Sequence, residues 1–337
     1  MLTWRETVAP GEEARFNAYA TELRDLARRR AAGAKSERAL HLKSHLGVVG
    51  KLIVGELPPE LRVGPFAAPR DYPLYARFSN GTFSRQHDGV PDIRGVALKL
   101  VGVAGKKLIP GMEAKSTQDF LVIQTPSVAT GNPDDFMTLV RAAAKGKGPL
   151  LLPRLIMGLG LGGTLSVVRS LKNMPKVASM ATGTFYSAVP IRFGEQAVKL
   201  GLFPLAAAEP GAPAAGPGKL RDDLLARLRA GPVEYSLRVQ LFLDEATTPI
   251  EDASVRWPEE KAPFREVGRV VLPKQDPESA RGQEIEALVE TLSFDPWHAV
   301  EELRPLGAIQ RARSSAYRES TLERRAAGEP ETVLEPG

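Results

Sequence analysis

The spacing of apolar residues along the chain predicts a series of short β-strands separated by turns. Apolar and polar residues alternate in 74–79 (LYARFS) and 94–101 (RGVALKLV), and a short apolar run occupies 119–124 (DFLVIQ). Such patterns, bounded by turn residues, are typical of strands. Because no helix separates these first strands, the pattern favours an antiparallel sheet or barrel over a parallel α/β sheet. Further strands are predicted at 51–57, 184–192, 197–203, 233–244, 268–272 and 285–294.

Helical spacing predicts a helix near each end of the chain. Phe16, Tyr19, Leu23 and Leu26 recur at helical intervals and predict a helix over 12–32. Other helices are predicted after Asn132, at 221–229 and at 307–325. We therefore predict an α+β fold made of an N-terminal helical arm (1–36), a barrel domain (37–326) and a disordered tail (327–337).

One apolar stretch, residues 149–172, does not fit the pattern of strands. It contains glycines at 158, 160, 162 and 163, and its weakly polar run 155–168 lies between two arginines. Those 14 residues are fewer than the about 20 that a membrane-spanning helix needs. We interpret it as a flexible surface helix or lid. A plain helical hairpin is favoured over a lining for an access channel or a lipid-surface contact through 149–168.

Composition and charge exclude several classes of function. The 337 residues are 43% hydrophobic and 25% charged, which is typical of a globular protein, and the net charge is +5. The basic residues are mostly scattered and not interleaved with aromatics, so nucleic-acid binding is not indicated. The absence of cysteine excludes disulfides, thiolate ligation of haem and iron–sulfur clusters. The early charges of the N-terminus do not fit a secretory signal, and we expect a cytoplasmic protein.

Candidate chemistry appears in the last predicted helix. Arg313 precedes Tyr317 by four residues, so the two side chains share one face of a helix. An arginine beside a phenol favours the phenolate, and tyrosinate is a known axial ligand of haem iron. The same spacing at Arg15 and Tyr19 has no such context. The alternative for an arginine-rich helix is a solvated surface.

Two histidines are also four residues apart. His41 and His45 have nearly the spacing of a two-histidine metal site on a helix. No acidic third ligand stands nearby, so a zinc site is not favoured. The preferred interpretation is that these are hydrogen-bonded polar residues.

Five short motifs follow one another from residue 37 to residue 324. They are Glu37–Ser44 (ERALHLKS), Arg77-Phe78-Ser79, Asp92–Lys99 (DIRGVALK), Phe294-Asp295-Pro296, and Arg313 with Tyr317. In this order and spacing they resemble the haem catalases, most closely the short members that lack C-terminal extensions. The resemblance implies a catalase-type antiparallel β-barrel with surrounding helices, a haem b cofactor and a homo-oligomer.

The resemblance also implies roles for single residues. His41 would be the distal general acid and base, and Ser79 would orient it by a hydrogen bond. Tyr317 would be the axial iron ligand, kept ionised by Arg313. The residues that would pair with the haem propionates are Arg38, Arg77 and Arg324. Ser116 stands where catalases keep a distal asparagine.

The implied activity is haem-dependent cleavage of a peroxide O–O bond. Ser116 and the apolar stretch favour an organic or fatty-acid hydroperoxide over hydrogen peroxide as the substrate. A true small catalase, a peroxygenase and a hydroperoxide isomerase are alternatives on the same site. A haem protein in which His41 is only structural, or a basic barrel without haem, are the non-enzyme alternatives.

Overall fold

A single antiparallel sheet forms the centre of the molecule. The computed structural model describes residues 3–31, 38, 40–82, 85–146, 148–206, 216–326 and 328–336. Its strands are β1 (Ser44–Val54), β2 (Arg70–Asn80), β3 (Arg94–Val101), β4 (Thr117–Ile123), β5 (Phe185–Tyr186), β6 (Ile191–Phe193), β7 (Gln196–Pro204), β8 (Val233–Leu241) and β9 (Phe264–Leu272).

The sheet closes into a barrel. The strand order is β5-β4-β3-β2-β1-β9-β8-β7-β6, and β5 also pairs with β7. This extra pairing joins eight strands into a ring and leaves β6 attached outside it, beside β7. Every pairing is antiparallel. The prediction of an α+β fold with an antiparallel barrel of the catalase type is confirmed.

Helices surround the barrel. The described residues form α1 (Glu12–Ala31), α2 (Pro133–Ala144), α3 (Leu151–Lys172), α4 (Lys219–Ala230), α5 (Ala280–Thr291) and α6 (Ala308–Arg324). The first and last helices lie against each other, and an ion pair of 2.9 Å between Arg24 of α1 and Glu319 of α6 links them. Asn132 caps α2 as predicted, because its side chain accepts a hydrogen bond from the Asp135 amide.

The two faces of the barrel wall are buried in different ways. On β1, Leu46, Val48 and Leu52 point into the barrel and join its main apolar core. Val49 on the same strand and Tyr75 on β2 point outward into a second cluster with α5. This alternation follows from the pleat of a strand, which sends successive side chains to opposite faces. The outer face of β1 and β2 is therefore covered, and the candidate site lies on this covered face.

The strand predicted at 285–294 is wrong, because most of this segment is helix α5. Ser279 caps the helix by accepting a hydrogen bond of 3.0 Å from the Gly282 amide. Ile285 and Val289, four residues apart, are both buried against the barrel. That spacing is the helical period, which the run of apolar and β-branched residues obscures in the sequence.

The predicted disorder of the tail 327–337 is also wrong for its described part, residues 328–336. The Glu329 side chain is 2% exposed. It accepts hydrogen bonds from Lys99 Nζ (2.5 Å), Thr117 Oγ1 (2.8 Å) and Ser293 Oγ (3.0 Å). The tail is ordered because its carboxylate neutralises a fully buried lysine on β3.

The apolar stretch forms two helical segments, described together as α3, that meet at a kink at Gly160. In the described part of the chain, α3 is the one helix long and apolar enough to cross a membrane, by length and composition alone, and 17% of its most apolar window is buried. At 22 residues it extends beyond the 14-residue run on which the sequence prediction was based. Gly160 interrupts it with φ 69° and ψ 177°.

Candidate active site

His41 is fixed just before β1 by contacts with two neighbouring strands. Its backbone amide donates to the Gly81 carbonyl (3.0 Å), and its φ is 55°, in the left-handed region. Its Nδ1 lies 3.0 Å from Ser79 Oγ at the end of β2, so the predicted contact is present. The ring lies against Gly95, where a Cβ would be 2.8 Å from ring Cε1. A side chain larger than hydrogen at 95 would displace this imidazole.

The surroundings of His41 keep its ring neutral. Burial, followed by the positive charges of Arg77, Arg313 and Arg38, lowers its pKa to about 3. At neutral pH the imidazole therefore carries one proton and offers one basic nitrogen. Ser79 Oγ contacts Nδ1 of the ring, and no described residue is hydrogen-bonded to Nε2. Such a ring is able to accept a proton from a bound molecule.

Helix α6 brings Tyr317 and Arg313 to the same region. Arg313 Nη2 donates to the Tyr317 hydroxyl at 3.0 Å, and Arg313 Nη1 donates to Gln310 Oε1 at 3.1 Å. Trp297 Nε1 donates to the Gln310 carbonyl at 2.7 Å, which anchors the start of the helix. The charge of Arg313 is near enough to His41 to lower its pKa. The tyrosine–arginine pair and the histidine thus come from separate elements to one site.

Three arginines gather beside this pair around one carboxylate. Arg77 Nε donates to Glu290 Oε1 at 2.7 Å, and Arg38 Nη1 lies 3.3 Å from Glu290 Oε2. Burial, followed by the charges of Arg77 and Arg324, holds the pKa of Arg38 well below its usual value. Burial, followed by the charge of Arg77, lowers the pKa of Arg324 to about 10. The cluster has more positive charge than its protein partner neutralises.

These residues fit a haem with two propionates. Arg324 Nε is buried and has no hydrogen-bond partner among the described residues, so the cluster has an unused donor for an additional anion. Two positive charges remain after Glu290 is paired, and they match two carboxylates, which guanidinium groups bind bidentately. The barrel wall opposite is made of small residues, Gly95 and Ala97, on β3. A phenol oxygen paired with a guanidinium suits ligation of ferric iron.

The structure does not bring Ser116 to this site. The register of β3 with β4 pairs Gly95 with Ile123 and Val101 with Thr117, so Ser116 lies at the far end of β4 from Gly95. Seven residues of strand separate Ser116 from Ile123, roughly 23 Å at about 3.3 Å per residue. The prediction that Ser116 acts beside His41 is wrong, because matching motifs by order does not give their position along a strand.

His45 is a buried residue with a hydrogen-bond partner of its own. It is fully buried, and its Nε2 lies 2.6 Å from Asn80 Oδ1. Burial lowers its pKa to about 4, although nearby Asp88 acts in the opposite direction. The described residues contain no group of three or more histidines and acids that could hold a metal ion. Two members of the first motif, Glu37 and Ala39, lie outside the described residues.

Sequence reasoning missed two acidic residues at the site. Glu290 joins Arg38 to Arg77, and it was overlooked because its segment was predicted to be a strand. Asp295 lies in the Phe-Asp-Pro motif, and burial raises its pKa to about 7 although Arg313 acts to lower it. Its backbone amide donates to Asp119 Oδ2 at 2.8 Å. The helical spacing of the apolar residues after Ser279 could have predicted α5 and thereby placed Glu290 near its end.

The chain resembles proteins of the catalase group in sequence and in fold. No protein-family profile matches it. Over 280 residues it is 29% identical to the catalase-related peroxidase of Mycolicibacterium paratuberculosis (strain ATCC BAA-968 / K-10), covering 80% of this chain and 82% of that protein. Catalase A from Saccharomyces cerevisiae has a TM-score of 0.69 at 16% identity, covering 91% of this chain and 64% of that one. A fungal catalase has a TM-score of 0.68 at 18% identity, covering 88% and 61%.

The sequence match and the structural matches support different conclusions. The chain spans 61 to 64% of the length of the two solved catalases. At identities of 16 and 18%, their similarity establishes the fold and nothing finer. The match to the peroxidase extends over most of both chains. Through both kinds of similarity, this chain is related to the catalase family.

Proposed function

We propose that this chain is a haem-dependent peroxidase that cleaves the O–O bond of a hydroperoxide. The observation that carries the proposal is the convergence of a neutral His41, held by Ser79, with the Tyr317–Arg313 pair of α6. The name of the relative, a catalase-related peroxidase, supports the same reaction class. Heterolytic peroxide cleavage requires a proton transfer, for which His41 is the base, and tyrosine is the axial haem ligand of catalases.

Each residue has a defined task in this proposal. When bound, haem iron would supply the site for one peroxide oxygen and the electrons for O–O cleavage. His41 accepts the proton of the near oxygen through its basic nitrogen and returns it to the far oxygen, which leaves as water or an alcohol. Ser79 holds the imidazole in place for both transfers. Arg313 balances the negative charge of a Tyr317 ligand.

The arginine cluster would orient the cofactor. Arg38, Arg77 and Arg324 would bind the two propionates, with Glu290 keeping the first two at fixed positions. Arg324 would gain the partner that its buried Nε lacks. The arginine cluster and Tyr317 would together hold the haem, and His41 would supply the group that transfers protons.

We further propose an organic hydroperoxide as the preferred substrate. The position of Ser116, remote from His41, removes one argument for this preference. The exposed apolar side chains of helix α3 remain in its favour. Initial rates with linoleic acid hydroperoxide and with hydrogen peroxide test the preference. Oxygen evolution from hydrogen peroxide that exceeds organic peroxide turnover would contradict it.

The histidine variant tests the reaction class. His41→Ala in the haem-reconstituted protein is expected to lower the peroxide cleavage rate by about 10²- to 10⁴-fold, the usual contribution of a general acid–base. His87→Ala makes the same change outside the site and is expected to leave the rate unchanged. Haem content, measured in parallel, should be equal in all three proteins. A His41→Ala protein with the rate of the unaltered chain would refute the proposal.

A further inference from the structure

Helix α3 exposes a continuous apolar surface. Only Leu155, Thr164 and Val167 of its side chains are buried. Large apolar side chains on its other faces are open to solvent, and their exposed fractions are 51% for Leu152, 88% for Met157, 74% for Leu161, 68% for Leu165, 41% for Val168 and 49% for Leu171. A contiguous apolar patch of this kind marks an interaction surface.

The charge around this helix has one sign. From residue 136 to residue 194 the sequence contains eight lysines and arginines and no aspartate or glutamate. Elsewhere the two signs are nearly balanced, since the whole chain has 45 basic and 40 acidic residues. Four of the basic side chains are exposed and make no ion pair in the described part of the chain, namely Lys145, Arg169, Lys172 and Lys176. They lie beyond or near the two ends of the apolar surface.

The helix is not placed to cross a membrane. The chain enters it from α2, which contacts α6, and leaves it towards β5 of the barrel. Both ends therefore belong to one domain and must stay on one side of a bilayer. Gly160 also breaks the helix into two segments. A helix with an apolar face and basic residues near its ends, both of which connect to the same domain, can lie parallel to a membrane in its interface.

The positive charge around α3 indicates what kind of partner binds its apolar surface. A second copy in a twofold contact would bring two basic surfaces together, because both subunits use the same patch in such an interface. Like charges brought together in this way oppose association. An anionic bilayer offers hydrocarbon for the leucines and negative headgroups for the lysines and arginine. We infer that α3 binds this protein peripherally to an anionic lipid surface, a property that does not rest on the proposed activity.

Vesicle sedimentation tests this inference with the purified full chain. Vesicles of phosphatidylcholine with 30 mol% phosphatidylglycerol (about one charge in three lipids) are expected to sediment the protein, and pure phosphatidylcholine vesicles much less, because each basic residue near a charged surface strengthens the attraction. The double variant Leu161→Asp and Leu165→Asp should reduce the bound fraction at least about tenfold, since a charged side chain would have to enter the interface. Val8→Asp changes a side chain that is 65% exposed on another surface and should have no effect.

A second pair of variants separates charge from apolar contact. Arg169→Glu with Lys172→Glu should weaken binding to the charged vesicles and leave the small binding to neutral vesicles unchanged. All the substituted positions are exposed. An unchanged unfolding temperature shows that each variant retains the fold. If a double variant unfolds, Met157→Asp, at a position that is 88% exposed, replaces it. The inference is overturned if charged vesicles do not sediment the chain, if the Leu161 and Leu165 variant binds them equally, or if that variant only converts a dimer into a monomer.

Discussion

At the scale of single residues, the site depends on how tightly His41 is held. Its backbone has φ 55°, a conformation that costs a non-glycine residue of order 1 kcal/mol. The conformation is retained because the amide bonds to Gly81 and the ring is bounded by Ser79 and Gly95. The ring position is therefore set by small neighbours, and enlarging one of them has a defined consequence.

Gly95→Ala tests this restraint. The added Cβ would lie 2.8 Å from the imidazole Cε1 and 3.4 Å from the Val122 carbonyl, so the ring must move. We expect the peroxide cleavage rate to fall about tenfold or more, since a misplacement of about 1 Å costs up to 10²-fold. Gly55→Ala, with no atom within 4 Å of its Cβ, is the control and should change nothing. Equal rates in both variants would show that the ring position is not critical.

The pH dependence of the reaction tests the charge of His41. Its pKa of about 3 lies below the ordinary 6.5, so the folded state favours the neutral ring and binds its proton only in strong acid. We therefore expect no loss of kcat/KM that reports His41 between pH 8 and pH 5. The profile is measured over the range where circular dichroism shows a folded protein. A decline centred near pH 6.5, absent from His41→Ala, would contradict this expectation.

At the scale of secondary-structure elements, most of the fold is present in the local sequence pattern. The predicted strand 94–101 coincides with β3, and the predicted helix 307–325 differs from α6 by one residue at each end. The arginine–tyrosine pair on α6 followed from helical spacing alone. Helix α5 could not be predicted in this way. Over so short a segment its apolar residues fit the period of a strand as well as that of a helix. The ends of β4, which decide the place of Ser116, depend on register and therefore on tertiary pairing.

Helix α5 also offers a test of how an element supports the site. Ser279 caps it and Glu290, near its other end, positions Arg38 and Arg77. Ser279→Ala removes the cap and is expected to lower the free energy of unfolding by about 1 kcal/mol. Urea denaturation measures this change. Ser170→Ala, at an exposed position of α3, should alter stability by less than about 0.5 kcal/mol, and equal effects would argue against the capping role.

At the scale of the whole molecule, the C-terminal tail closes over the barrel near the site. Lys99 is fully buried between two carboxylates, Asp119 and Glu329. Burial raises the pKa of Asp119 to about 8, whereas Lys99 holds the pKa of Glu329 below its usual value against the effect of burial. Glu329 is therefore an ionised partner of the lysine at neutral pH, and Lys99 also donates to both oxygens of Asp119 (2.7 and 2.9 Å). No local pattern in residues 328–336 reveals this contact, since its partner is about 230 residues away.

Glu329→Ala tests the closure. The change leaves Lys99 with Asp119 as its one remaining carboxylate among the described residues and removes an acceptor for Thr117 and Ser293. We expect a loss of about 3 kcal/mol in the free energy of unfolding at pH 7, the lower end for a broken buried ion pair. Because the pKa of Glu329 is lowered in the fold, its contribution is present above pH 4.5 and diminishes as the pH falls. The exposed Glu331→Ala should have no measurable effect, and a similar result for both would refute the closure.

The central claim is that Tyr317 ligates a haem held between α6 and the barrel. The visible absorption spectrum of the protein after haem reconstitution tests it most directly, with Tyr317→Phe measured alongside. Phenylalanine keeps the ring and removes the oxygen, so the fold is expected to be unchanged. We predict a high-spin ferric tyrosinate spectrum that the variant lacks. Failure to take up haem, or identical spectra for the two proteins, would contradict the claim.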